Sequence, residues 1–142
     1  MPANSWMIPP GLNSVGAYQV SGRPYATASI DANHGLRPGG FEIVFPYVAR
    51  WFKVINKDAS NDCKVAFSLS GMTGSNNYFT VAKGDVDANG AIGDSGFVEL
   101  KVTSIWVSGS TNVDVVAGLT SIMPDSTRTS AGSNWSGSTG VG

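Results

Sequence analysis

Asp85, Asp87 and Asn89 alternate ahead of Gly90 in DVDANGAIGD, residues 85–94, and this is the front half of a calcium loop. In such a loop, oxygens come from positions 1, 3 and 5, glycine stands at 6, an apolar residue at 8 and a bidentate glutamate at 12. Asp85, Asp87, Asn89, Gly90 and Ile92 meet the first five demands, but the twelfth position is Gly96 and Asp94 stands at the tenth. Without the ligand that closes the shell, affinity is weak. Alternating Asp and Asn also build turns in which the side chains bond their own backbone. The stretch therefore reads as a polar turn between two strands, with a cation site as the alternative.

Other chemistry-bearing residues are sparse. His34, in DANHGLRPGG, is the only histidine, so a two-histidine metal site within one chain is excluded and a single imidazole base is left. Its loop context reads as surface, and no G-x-S-x-G elbow accompanies it. Glu42 and Glu99 each stand alone on strand-like runs, whereas carboxylate-pair hydrolysis needs two groups facing one cleft. GMTGSNN lacks the lysine of a phosphate loop. The four Trp and four Tyr keep an aromatic sugar platform open. No catalytic residue, cofactor site or metal ligand is assigned on these grounds, and the expected protein is not an enzyme.

The elements that must carry these residues are strands. In DCKVAFSL, Cys63, Val65, Phe67 and Leu69 alternate with Asp62, Lys64, Ala66 and Ser68, the period of a half-buried strand. FVELKVTSIWV turns Val98, Leu100 and Val102 inward against Glu99, Lys101 and Thr103. NVDVVAGLTSI turns Val113, Val115, Ala117 and Leu119 inward, and the SGST turn between these last two runs predicts that they pair as a hairpin. AYQV, PYATASI, FEIVF, VARWFKVIN and NYFTV add five further runs bounded by Gly, Pro, Asn and Asp. Connections are too short for βαβ crossovers. The expectation is an all-β fold, an antiparallel β-sandwich or jelly roll of about eight strands. In VARWFKVI, Trp51, Lys53 and Ile55 share one parity and Phe52 and Val54 the other, so both faces are partly apolar. Burial on both sides within the fold, or cover by a neighbouring subunit, would each produce that pattern.

The chain has 142 residues, 42% apolar and 13% charged, with nine basic and ten acidic side chains. That suits one domain with a real core, and it offers no electrostatic drive toward nucleic acid or an anionic membrane. Charge is well below the quarter usual in soluble domains, which makes association easier. Cys63 is the sole cysteine, so no intrachain disulfide is possible, and it reads as buried and inert. MPANSWMIPPGLN lacks the basic and apolar regions of a secretory signal, and no run approaches a membrane span of about 18 apolar residues, so the chain is expected to be made in a host cytoplasm.

Composition divides the chain into an N-terminal arm at 1–14, a β domain at 15–123 and a Ser/Gly-rich C-terminal arm at 124–142. Fixing such arms costs about 1 to 2 kcal/mol per residue. Anchors such as Trp6 and Trp135 would offset that cost by packing on neighbouring subunits, or on the parent domain itself.

GLNSVGAYQVSGRPYATASI, EIVFPYVARWFKVINKD, SGMTGSNNYFTV and ELKVTSIWVSGSTNVDVVAGLTSI together resemble small virion proteins of tailed bacteriophages, particularly marine and cyanobacterial phages, over residues 11 to 123. The resemblance implies a β-sandwich accessory protein of the virion, a head decoration or cement protein on the major capsid shell. Expected partners are the major capsid protein or other virion structural proteins and further copies of the chain; direct nucleic-acid and membrane contact are not expected, nor any cofactor. The competing expectations are a tail, vertex or fibre component engaging the host surface, through carbohydrate for example, and a calcium-dependent binding module.

Overall fold

The structure, a computed structural model, describes residues 16, 22–33, 40–73, 76–84, 93–129 and 132–133. In chain order these form β1 (Arg23–Ile30), β2 (Phe41–Asn56), β3 (Cys63–Ala66), a short helix α1 (Leu69–Thr73), β4 (Tyr78–Val81), β5 (Gly93–Asp94), β6 (Val102–Ser108) and β7 (Val113–Leu119). A 3-10 turn (Pro124–Thr127) and two short paired strands, β8 (Arg128–Thr129) and β9 (Gly132–Ser133), follow. The expected all-β class and antiparallel pairing hold. Seven strands make one continuous sheet in the order β1-β7-β2-β6-β3-β4, with β5 beside β2, and no division into two sheets separates them.

β2 organises the sheet. FEIVF and VARWFKVIN, two runs in the sequence, are one strand of 16 residues with a corner at its middle. Phe41 to Val44 pair with β6; from Ala49 onward the strand pairs with β7 on its other side. At the corner, the four residues Phe45 to Val48 stand opposite the single residue Thr103. Pro46 lies in this bulge, where its missing N–H breaks no ladder bond. The bulge also resets the side-chain alternation, so that Phe45, Val48 and Ala49 are all buried. Across from β2, residues 93 to 108 run antiparallel along its whole length. Gly93 lies opposite Asn56, Val98 opposite Phe52, Val102 opposite Ala49 and Val107 opposite Phe41.

One core cluster draws side chains from β1 at one end of the ladder, such as Ile30, through to β4 at the other, such as Val81. The sheet therefore curls around its inner face. Phe45, Phe52, Val54, Val65, Ile105, Val107, Val113 and Val115 are fully buried there, and burial of each such side chain contributes about 1.5 to 3 kcal/mol. Rings meet edge to face across the interior: Tyr25 on Phe45 at 5.1 Å and Phe52 on Phe67 at 6.3 Å. A second, smaller cluster covers the outer face of β3 and β6, where Ala66, Trp106 and Met72 pack beneath α1 with Leu69 and Tyr78. Ser68 caps α1, its Oγ accepting the Gly71 N–H at 2.9 Å.

Several sequence expectations change in the structure. β6 and β7 are not a hairpin pair, because β2 lies between them in the ladder. FVELKVTSIWV becomes a regular strand only from Val102, and Leu100, expected inward, is 43% exposed. Cys63 and Val65 face the core as expected, but Phe67 is half-buried at its margin and Leu69 joins the outer cluster as the chain turns into α1. AYQV and both proposed aromatic anchors, Trp6 and Trp135, lie outside the described residues. The start of the C-terminal segment rests on the domain: Thr127 is buried, its hydroxyl donating to the Pro124 carbonyl at 2.7 Å.

Candidate interaction surface

The outward residues of the second half of β2 are Trp51, Lys53 and Ile55, each half-buried, and the ladder lines them up with neighbours on both sides. Trp51 stands opposite Gly118 and Lys53 opposite Val116 on β7; those same residues stand opposite Pro24 and Ala26 on β1. On the other flank, the Phe52–Val98 bridge sets Phe97 on the outward side next to Trp51 and Lys53. The Phe97 and Trp51 rings meet edge to face at 5.1 Å, and the Lys53 ammonium lies 5.3 Å from the Phe97 ring centre. Phe97 is nonetheless 70% exposed. Among the described residues it is the most exposed of the large apolar side chains.

The segment that carries Phe97 is fixed by its backbone. Ser95 donates its N–H to the Val54 carbonyl at 2.9 Å and accepts the Val54 N–H on its hydroxyl oxygen at 2.9 Å. Gly96 follows with a φ of 70°, the left-handed region open to glycine. Its N–H donates to the Asp94 carboxylate, whose other oxygen pairs with the Lys53 Nζ at 2.7 Å. The Lys53 ammonium first, then the Gly96 N–H, hold the Asp94 carboxyl below the usual carboxylate range. An exposed pair of this kind adds little to stability. Its effect is on the surface, since a partner that covers Phe97 meets a cation and an anion already neutralising each other.

A second organised polar group escaped the sequence reading. Asn56, at the end of β2, is fully buried. Its amide donates to the Asn61 carbonyl at 2.9 Å and its side-chain oxygen accepts the Ser110 hydroxyl at 2.7 Å. Asp58 takes five donors on its two oxygens. Ser60 N–H at 2.8 Å and Asn61 N–H at 3.2 Å reach Oδ1; Asn61 Nδ2 at 3.0 Å, Thr111 N–H at 3.0 Å and the Thr111 hydroxyl at 2.9 Å reach Oδ2. These bonds, led by the Thr111 N–H, hold the Asp58 carboxyl far below the usual range. The group ties the 57–62 turn to the 109–112 connection across the end of β2. That is a structural knot. NKDASND and SGST read in the sequence as separate turns, and the only local signal was the Asp-x-Ser-Asn spacing of an Asx turn.

The other sequence candidates divide. Asp85, Asp87, Asn89 and His34 lie outside the described residues. Glu42 and Glu99 border different halves of β2; Glu42 lines a cleft between β1 and β2 and Glu99 does not. Cys63 is buried with its thiol pushed up to about 11 by desolvation. Among the described residues, no three of His, Cys, Asp and Glu come together to hold a metal ion. Comparison with protein-family models, with curated proteins and with solved structures found no match to this chain.

Proposed function

We propose that this chain is a non-enzymatic virion structural protein, a capsid decoration or cement protein that binds and stabilises the major capsid lattice. The observation that supports this reading best is Phe97, 70% exposed on a backbone-fixed segment beside Trp51, with Lys53 and Asp94 beside it paired to each other. Covering one such ring is worth about 2 kcal/mol per copy. Binding the assembled lattice better than its separated subunits adds that difference to the stability of the shell, once for every copy bound. Low overall charge and the resemblance of residues 11 to 123 to phage virion proteins point the same way.

Sedimentation of the purified protein with isolated DNA-filled heads tests the reading. Retention on heads is expected, with a loss of about tenfold or more in the Phe97→Ala variant. Failure to sediment with heads at all removes the proposal. The aromatic pair also favours a second reading, a tail, vertex or fibre component that stacks on host-surface carbohydrate; sedimentation with tails or host envelopes instead of heads selects it.

A further inference from the structure

Phe97 is carried on a segment whose backbone is held on both sides of it. At Gly93, which stands opposite Asn56, an added Cβ would lie 1.7 Å from the Ala82 carbonyl oxygen, so the chain is tightly seated there. Ser95 is bonded to both backbone groups of Val54. Val98 donates its N–H to the Phe52 carbonyl at 2.8 Å and accepts the Phe52 N–H on its own carbonyl at 3.0 Å. With the backbone pinned before and after it, the part of Phe97 still able to turn is its side chain, whose rotamers are set by what the ring touches. The Trp51 ring meets it edge to face at 5.1 Å, and the Lys53 ammonium lies 5.3 Å from its centre. Lys53 is held in turn. Its Nζ is 2.7 Å from Asp94 Oδ2, while Asp94 Oδ1 accepts the Gly96 N–H at 2.6 Å. One carboxylate therefore ties the cation beside the ring to the backbone that carries the ring.

We infer that Asp94 and Lys53 form a clip that holds the Phe97 ring in one exposed pose against Trp51, making them positioning residues for the contact that Phe97 makes. A lysine side chain in water samples many rotamers, and an ammonium constrains a neighbouring ring only while it stays in place. Asp94, itself fixed by the Gly96 N–H, keeps it there. A ring already held enters a partner's pocket with less rotamer freedom to lose, so a pair that adds little to the stability of the fold adds to affinity. The position of the charge also has a reason. An apolar residue at 53 would join Trp51, Ile55 and Phe97 into one larger apolar patch, whereas lysine interrupts the patch and steers the ring. The part of the clip in binding rests on the virion reading of Phe97; the clip itself belongs to the free protein and is measured without particles.

The test uses the full chain with labelled Phe and Trp rings, and NMR reads the clip as the nuclear Overhauser contact between Phe97 and Trp51. Three variants are compared with wild type. Asp94→Asn keeps an oxygen for the Gly96 N–H but loses the charge, Lys53→Met keeps an unbranched stem without the charge, and Lys53→Arg keeps the charge. Asp94→Asn and Lys53→Met are expected to melt within about 3 °C of wild type, because the pair is exposed. Both should weaken the ring contact by about half or more, as Phe97 spreads over its staggered wells. Retention on isolated DNA-filled heads should fall about threefold in each, less than in Phe97→Ala. Lys53→Arg should keep both the contact and the retention, and the double variant Asp94→Asn, Lys53→Met should lose no more than either single one. An undiminished ring contact in Asp94→Asn and Lys53→Met overturns the clip, whatever happens on heads. A double variant that loses the product of the two single losses overturns the coupling of the pair. A weakened ring contact with unchanged head retention overturns the part of the clip in binding. If the wild-type protein does not sediment with heads, the virion reading falls, and the ring contact alone decides the clip.

Discussion

Replacing Asp58 by asparagine preserves shape and removes only the charge and one acceptor atom. Whichever way the amide is turned, its NH₂ group faces at least two donors that the carboxylate oxygen had accepted: Ser60 and Asn61 N–H on one side, or the Asn61 amide and both donors of Thr111 on the other. Hydrogen bonds to a charged group contribute about 1.5 kcal/mol or more each, and two lost bonds cost about 3 kcal/mol. In a domain of this size that corresponds to a fall in Tm of roughly 10 °C. The pH dependence follows from the depressed native carboxyl of Asp58. On acidification the unfolded chain takes up the proton first, near its ordinary value of about 4, so the stability that the carboxylate contributes is fully present above about pH 5 and drains away below it. Urea melts of the wild-type and Asp58→Asn proteins from pH 8 to pH 2 measure both effects. The wild-type advantage should be constant down to pH 5 and shrink steadily toward pH 2. Equal urea midpoints at pH 7, or an advantage that persists undiminished at pH 2, would refute the assignment of Asp58 as the charged centre of the knot.

Phe67→Ala should destabilise the fold by about 2 kcal/mol, less than a fully buried ring, because Phe67 is half-buried against Phe52 and Phe79; chemical denaturation measures it, and a cost near zero would remove Phe67 from the core margin. Gly93→Ala should cost more than about 2 kcal/mol, since an added Cβ would lie 1.7 Å from the Ala82 carbonyl oxygen and backbone must move; a thermal melt within a degree of wild type would contradict that close approach. Cys63, buried with its thiol raised to about 11, should resist a thiol reagent at pH 8 in the native protein and react fully in denaturant. Phe97→Ala should leave the urea midpoint within about 0.5 kcal/mol of wild type, because an exposed ring contributes little to the isolated fold, so that any loss of head retention reports on binding.

Much of the fold was legible along the chain. Cys63 and Val65, and Val113, Val115 and Ala117, face the core where alternation put them, because successive residues of a strand point to opposite sides whatever the strand pairs with. The mixed character of Trp51 to Ile55 was visible for the same reason. Pairing partners are a different matter. They depend on contacts distant in sequence, so the SGST turn favoured a β6–β7 hairpin that the insertion of β2 between them replaces. Alternation also fails where a bulge intervenes: the residues from Phe45 to Val48 reset the parity of β2, and the irregular line from Phe97 to Lys101 leaves Leu100 in solvent.

The candidate surface arises at such a place. Phe97 looked like the first residue of a strand; its exposure follows from Gly96 and Ser95, which turn the backbone before the regular ladder begins. The cleft bearing Glu42 exists because a corner in β2 parts it from β1, a distance that no local pattern encodes. Asp58 and Thr111 are 53 positions apart, and only the crossing of their two turns over the end of β2 makes one carboxylate the acceptor for both. Side-chain chemistry and strand period, being local, were determined by the amino-acid order alone. The encounters between edges, corners and turns were decided by the three-dimensional closure of the sheet, because they depend on where distant segments meet.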